Sequence, residues 1–166
     1  MSNDSASAGH EFRAGFEFDV ARLEGWLAGQ LPGFRGPLRV KQFSGGQSNP
    51  TYLVEAPDRR YVLRRKPPGV LLPSAHAIDR EFRVMRALGQ ASDVPVAPAL
   101  ALCEDPAVIG TAFYLMGHVE GRIFWNPTLP ELPRDGRAGI FRGIIDALAR
   151  LHAVTPAAVG LGDFGR

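Results

Sequence analysis

Three features of the chain could handle a phosphate. Gly45-Gly46 sits in a short polar loop, Ser44-Gly45-Gly46-Gln47-Ser48-Asn49, between two apolar runs. Glycines permit a close approach of backbone to ligand, and successive N–H groups with the side chains of Gln47, Ser48 and Asn49 would be donors to phosphate oxygens. The same pair would equally serve as the turn of a hairpin. No G-x-x-x-x-G-K-[ST] occurs, and the loop joins two strand patterns where a P-loop leads into a helix. Downstream lies Tyr61-Val62-Leu63-Arg64-Arg65-Lys66. Strand side chains alternate, so Val62 and Arg64 share one face while Tyr61, Leu63 and Arg65 share the other. A small apolar residue beside a cation suits a nucleotide, with Val62 under the base and Arg64 towards the phosphates. A solvated basic strand end is the plainer reading. The third feature is Glu81, whose carboxylate could hold Arg64 in a bidentate clamp or be solvated on its helix.

These residues need elements to place them. Asp19 can cap a helix in which Val20, Leu23, Trp26, Leu27 and Leu31 recur at helical spacing, ended by Pro32-Gly33. Leu38 to Phe43 alternates as a strand with one buried face. Thr51 to Ala56 follows the polar loop, and Arg60 to Arg65 returns after a turn at Pro57-Asp58. Short connections pair these strands antiparallel. After the break at Pro67-Pro68-Gly69, Ser74 caps a second helix with Ile78, Phe82, Met85 and Leu88 on one face, closed by Gly89. Two more short strands are expected at about 99–103 and 112–119, around a turn at Glu104-Asp105-Pro106. Gly121 to Pro133 reads as a linker, and Ile140, Ile144, Leu148 and Leu151 mark a third helix ending near His152. Separate runs of strands and helices indicate an α+β protein with an antiparallel sheet.

Composition narrows the function classes. The 166 residues suffice for one packed domain, or for a small lobe and part of a second. The content, 45% hydrophobic and 22% charged, is that of a soluble globular protein. A net charge of +2 gives no support to a nucleic-acid partner. Cys103 is the only cysteine, which excludes an intrachain disulfide, and its apolar run makes it a packing residue. The first ten residues have no apolar core and do not read as a signal peptide. No stretch approaches the ~18 apolar residues of a membrane span, so a soluble cytoplasmic protein without a membrane partner is expected.

A glycine loop, a strand cation and a helix carboxylate, in that order, reproduce the nucleotide-binding half of a kinase. The next part would be a strand leading into a connector whose backbone meets the base. Phe113-Tyr114-Leu115-Met116-Gly117-His118-Val119 fits, with Met116 at the back of the pocket or simply in the core. The segments FSGGQSNPTYLV, RRYVLRRKPPG, DREFRVMRALG, ALCEDPAVIGTAFYLMGHVEGR and IIDALARLHAV together resemble the aminoglycoside phosphotransferase family, over about residues 38–166. The nearest likeness is to its branch fused or adjacent to acyl-CoA dehydrogenases. The resemblance implies a protein-kinase-like fold and transfer of a phosphoryl group from ATP or GTP, with Mg²⁺, to a small-molecule hydroxyl such as that of a hydroxyacyl-CoA. It puts Arg64 where the family often has lysine, Glu81 in the helix carboxylate role, and Gly117, His118 and Val119 in the connector.

The family's catalytic loop has a histidine, one residue, and then the aspartate that accepts the hydroxyl proton. His10, His76, His118 and His152 are none of them followed two positions later by aspartate. Asp163-Phe164-Gly165 spells the kinase metal motif, but no catalytic loop precedes it, and a turn is the expected role. The expectation is therefore a disordered tail over 1–17, a kinase-like N-terminal lobe with a leading helix over 18–119, a linker over 120–134, and the start of a truncated C-terminal lobe over 135–166. No catalytic or metal-binding residue is expected in this chain, Mg²⁺ belonging with the missing lobe. The exposed helix at 135–152 would favour self-association. A pseudokinase-like module that only binds nucleotide or a partner is the main alternative, and a basic nucleic-acid module the weaker one.

Overall fold

The computed structural model describes residues 12–44, 49–69 and 76–165. Helix α1 (Val20–Gln30) begins where the Asp19 carboxylate accepts the Arg22 N–H, which satisfies one of the free donors of a first turn. Five strands follow: β1 (Arg39–Gln42), β2 (Thr51–Glu55), β3 (Arg60–Arg65), β4 (Ala99–Cys103) and β5 (Phe113–Gly117). They form one antiparallel sheet in the order β1-β2-β3-β5-β4. The fold is α+β, with helix α2 (Ile78–Ala91) between β3 and β4.

The core lies on the face of the sheet that carries Tyr52, Val54, Tyr61, Leu63, Phe113 and Leu115, all buried, packed with Leu23 and Leu27 of α1. Trp26 meets Phe113 edge to face at 4.9 Å. Cys103 belongs to this core, and burial pushes its thiol pKa up, as a packing residue requires.

Arg65 shares that buried face and is 2% exposed. A buried cation needs acceptors. Its two terminal nitrogens donate to Ile109 O and Phe16 O, each at 3.1 Å, and its guanidinium lies over the rings of Phe18 and Tyr52. The Tyr52 hydroxyl also donates to Phe16 O. Residues 12–17 are thus not the tail expected there. Phe12 packs on the core with Phe18, and the Phe16 carbonyl solvates Arg65.

Two further expectations need correction. The turn at Glu104-Asp105-Pro106 is the start of a short helix α3 (Pro106–Ile109). Asp105 caps it by accepting from Ala107 N, Pro106 occupies its first turn, and Gly110 ends it in the left-handed region at φ 88°. Helix α2 does not close at Gly89 but continues to Ala91; the Ser92 hydroxyl donates to Leu88 O at its end. The expected cap Ser74 lies outside the described residues.

The chain divides into two compact units, Met1–Arg83 with Ala97–His118, and Val84–Val96 with Val119–Arg166. Helix α4 (Arg134–Ala153) belongs to the second unit and has no buried residue. Phe141, Ile144, Ile145, Leu148 and Leu151 are each 41–62% exposed. Within this unit an apolar groove of about 420 Å³ is lined by Leu88, Val94, Val96, Ile144, Leu148 and Leu151. Phe164 N–H donates to Leu161 O at 2.9 Å and closes a turn over residues 161–164. Among the described residues, no helix is long and apolar enough to cross a membrane.

Candidate functional site

The sheet face opposite the core carries two rows of side chains that run across three strands. Cross-strand partners share a face. Leu53 pairs with Val62 and Val62 with Met116, which makes an apolar row. Thr51 pairs with Arg64 and Arg64 with Tyr114, which makes a polar one. Val62, Arg64 and Met116 are half-buried. The apolar row thus lies one pleat away from a cation.

Helix α2 supplies the carboxylate for that cation. Its first turn brings Glu81 to Arg64, with Nε 3.1 Å from Glu81 Oε2. The contact is a single ion pair whose N–H is not aimed along the hydrogen-bond line, and not the bidentate clamp expected. Glu81 has two more donors. The Tyr114 hydroxyl donates to Oε2 at 3.1 Å, and Asn49 Nδ2 donates to Oε1 at 3.0 Å. Phe82, the next residue of α2, packs on the Tyr114 ring at 5.9 Å and is buried, which keeps this turn of the helix on the sheet.

Three consequences follow for the residues singled out in the sequence. Asn49 was expected to offer its amide to phosphate, yet it is 2% exposed and that amide is bonded to Glu81. Gly117 and His118 were expected to meet the base with their backbone; their N–H groups already donate, to Pro98 O at 2.9 Å and Arg60 O at 3.3 Å. What Gly117 does offer is its carbonyl. Pro98 lies opposite it at the end of the β4–β5 ladder, and proline has no N–H for the return bond. A Cβ on Gly117 would come within 3.3 Å of the Pro98 ring, so glycine suits this approach. Val119 is exposed and belongs to the second unit. Gly45, Gly46, Gln47 and Ser48 lie outside the described residues.

Leu53, His76, Pro98 and Tyr114 enter the site without having been assigned a role from sequence. Only the strand register could find Leu53, Pro98 and Tyr114. Among the described residues no cluster of three or more histidine, cysteine, aspartate or glutamate side chains could hold a metal ion.

A sequence model described as the phosphotransferase enzyme family, APH, matches residues 39–166. The chain belongs to that family. Its relatives include the probable acyl-CoA dehydrogenase IBR3 of Arabidopsis thaliana, 46% identical over all of this chain and 21% of that protein. Acyl-CoA dehydrogenase family member 10 of Mus musculus is 49% identical, over 87% of this chain and 14% of the relative. Family member 11 of the mouse is 43% identical, over 99% and 22%. A crystal structure assigned to the aminoglycoside phosphotransferases, from Ralstonia eutropha, superposes with a TM-score of 0.77 at 45% identity, over 90% of this chain and 43% of that one. The five-stranded antiparallel sheet and its helices are thus those of an N-terminal lobe of this kinase-like family. The chain spans about a fifth or less of the length of these curated relatives and under half of the solved structure.

The Tyr114 phenol is held well above its ordinary range, first by burial and then by the charge of Glu81, against a smaller opposing effect of Arg64. Burial also raises Tyr52, partly offset by Arg65. A folded-state pKa above the unfolded value near 10 stabilises below that pH and is lost as pH rises through it. Urea denaturation should therefore show stability falling from pH 10 upwards. Tyr114→Phe should be less stable at pH 8 by about 1 kcal/mol and fall less steeply in alkali. A variant with the parent's alkaline slope would refute this placement of the phenol.

Proposed function

We propose that this chain is the nucleotide-binding portion of an ATP-dependent phosphotransferase acting on a hydroxyl group of a small molecule. The observation that carries the reading is the pose of Arg64. Its inner edge faces Glu81 through Nε, while the terminal nitrogens have no hydrogen bond among the described residues. A guanidinium has five N–H donors in a fixed fork, so one edge can be held while the other meets phosphate oxygens in pairs. Lysine, with one ammonium, would have to serve both partners from a single point.

The apolar row of Leu53, Val62 and Met116 would bed the base. The Gly117 carbonyl, left without its ladder donor by Pro98, favours adenine, whose 6-amino group donates; guanine presents an acceptor at that position. Mg²⁺, when bound, would neutralise charge on the phosphates as phosphoryl transfer proceeds. The described residues offer it no protein cage, so it is assigned to the nucleotide phosphates and to residues of the whole protein outside this chain. For the acceptor we favour a hydroxyacyl-CoA or similar compound, because the relatives bear the name acyl-CoA dehydrogenase.

A non-catalytic nucleotide-binding module is the second reading, and one observation favours it for this chain alone. No histidine is followed two positions later by aspartate, so the residue that would accept the hydroxyl proton is not here. Assay of the whole protein with ATP and a hydroxyacyl-CoA separates the readings, since only the enzyme forms a phosphorylated product.

Calorimetric titration of the chain should show ATP binding several-fold tighter than GTP. Arg64→Ala should weaken ATP by about ten- to a hundredfold, the effect of losing charge-assisted hydrogen bonds worth ~1.5–3 kcal/mol. Unchanged affinity in that variant would sink the assignment of the site. We further propose that the open face of α4 drives self-association of this chain, as exposed apolar patches do. Light scattering should find dimers or larger species, and Ile145→Lys should return a monomer. A monomeric parent chain at high concentration would refute the second proposal.

A further inference from the structure

Asn49 has a bonding pattern that a phosphate donor does not need. Its backbone is fixed to the sheet at both sides: Thr51 Oγ1 donates to Asn49 O at 3.1 Å, and Arg65 N–H donates to the next carbonyl, Pro50 O, at 3.0 Å. Its side chain crosses to helix α2, where Nδ2 reaches Glu81 Oε1. A carboxylate paired with arginine is ionised and can only accept. The amide nitrogen must therefore face Glu81, and the amide oxygen must face the other way. That oxygen lies 2.8 Å from His76 Nδ1. An amide oxygen cannot donate, so His76 must carry its proton on Nδ1.

His76 is itself held in an uncommon conformation. Its φ is 58°, in the left-handed region that asparagine and glycine enter more readily than histidine. Its carbonyl accepts the N–H of Ile78, the first residue of α2, at 2.9 Å. The strained backbone points the ring at Asn49 at the moment the helix begins. Strain of this kind persists only where neighbouring contacts impose it.

We infer that Asn49 and His76 are positioning residues, a donor chain His76–Asn49–Glu81 that fixes the helix carboxylate against Arg64 and so sets how firmly the guanidinium meets nucleotide phosphates. The chain ties three elements together: the start of β2, the entry to α2, and β3. Glu81 would otherwise be held on one oxygen only, by Arg64 and Tyr114 on Oε2, and could turn about that point. The Asn49 amide fixes the second oxygen, and His76 fixes the amide. This inference rests on the nucleotide-site reading of Arg64.

The test is ATP affinity of the 166-residue chain, by calorimetry, in a set of variants with thermal unfolding as the control for folding. Asn49→Ala and His76→Gly should each weaken ATP by roughly fivefold, the effect of one lost hydrogen bond. Glycine accepts the left-handed backbone, so His76→Gly removes the donor without adding strain. His76→Asn keeps both the backbone conformation and an N–H donor near the Nδ1 position, and should bind ATP as the parent does. In an Arg64→Ala background neither Asn49→Ala nor His76→Gly should cost anything further, because both act through that guanidinium. Nitrogen-15 spectra of the nucleotide-free chain should show His76 as the Nδ1–H tautomer, lost in Asn49→Ala. Parent-like ATP affinity in both Asn49→Ala and His76→Gly, equal losses with and without Arg64, or an Nε2–H tautomer would each overturn the inference. Failure of the underlying site would look different: Arg64→Ala alone would bind ATP like the parent, while the tautomer, read without nucleotide, would still report on the donor chain.

Discussion

Adjacent residues of a strand must point to opposite faces of the sheet, and β3 places two arginines side by side under that rule. Arg65 is sent into the core and Arg64 to the other face. Burying a guanidinium without compensation would cost several kcal/mol, and among the described residues no carboxylate pairs with it. Instead the chain brings carbonyl oxygens from two distant segments, Phe16 and Ile109, and lays the rings of Phe18 and Tyr52 beside the cation. Much of the back of the sheet is arranged around that requirement. The segment 12–18 folds down on it, and α3 ends with a carbonyl aimed at it. Register on this strand is thereby fixed. A slip by one residue would exchange the two arginines, stranding Arg64 in the core and turning Arg65 away from its acceptors.

With the register fixed, Arg64 has one place to go, and its surroundings are as unequal as its two edges. One edge is held by Glu81, itself held by donors from β5 and from the start of β2. The Arg64 side chain as a whole stays about a third exposed. A cation in that pose is oriented before any ligand arrives, so little rotamer freedom remains to be lost on binding. The presence of arginine where the family often has lysine is coherent with this arrangement, since only the fork has an inner edge to anchor and an outer edge to use.

Much of this was legible from sequence, and what was not has a physical reason. The alternation of Tyr61 to Arg65 gave the two faces of β3, and the apolar spacing gave α1, α2 and α4, because local periodicity carries both. That Arg65 would be buried could not be read, since a cation's burial depends on acceptors 40 or more residues away. For the same reason Phe12, Phe16 and Phe18 looked like residues of a tail or its edge. Asp105-Pro106 with Gly110 did carry a helix signature, missed because four residues leave no periodicity to detect. Asn49 stood in a polar glycine loop and suggested a phosphate donor; its actual partner, Glu81, is set by tertiary approach of α2. The release of the Gly117 carbonyl needed the β4–β5 register, which no local pattern encodes.

The central claim is that Arg64, held at its inner edge by Glu81, presents its outer edge to nucleotide phosphate. A crystal structure of this chain with ADP tests it most directly. The account predicts Nη atoms of Arg64 within about 3 Å of phosphate oxygens, Nε still on Glu81, and the adenine over Val62 and Met116 with its amino group towards Gly117 O. A nucleotide bound elsewhere, or an Arg64 that leaves Glu81 to bind it, would contradict the account.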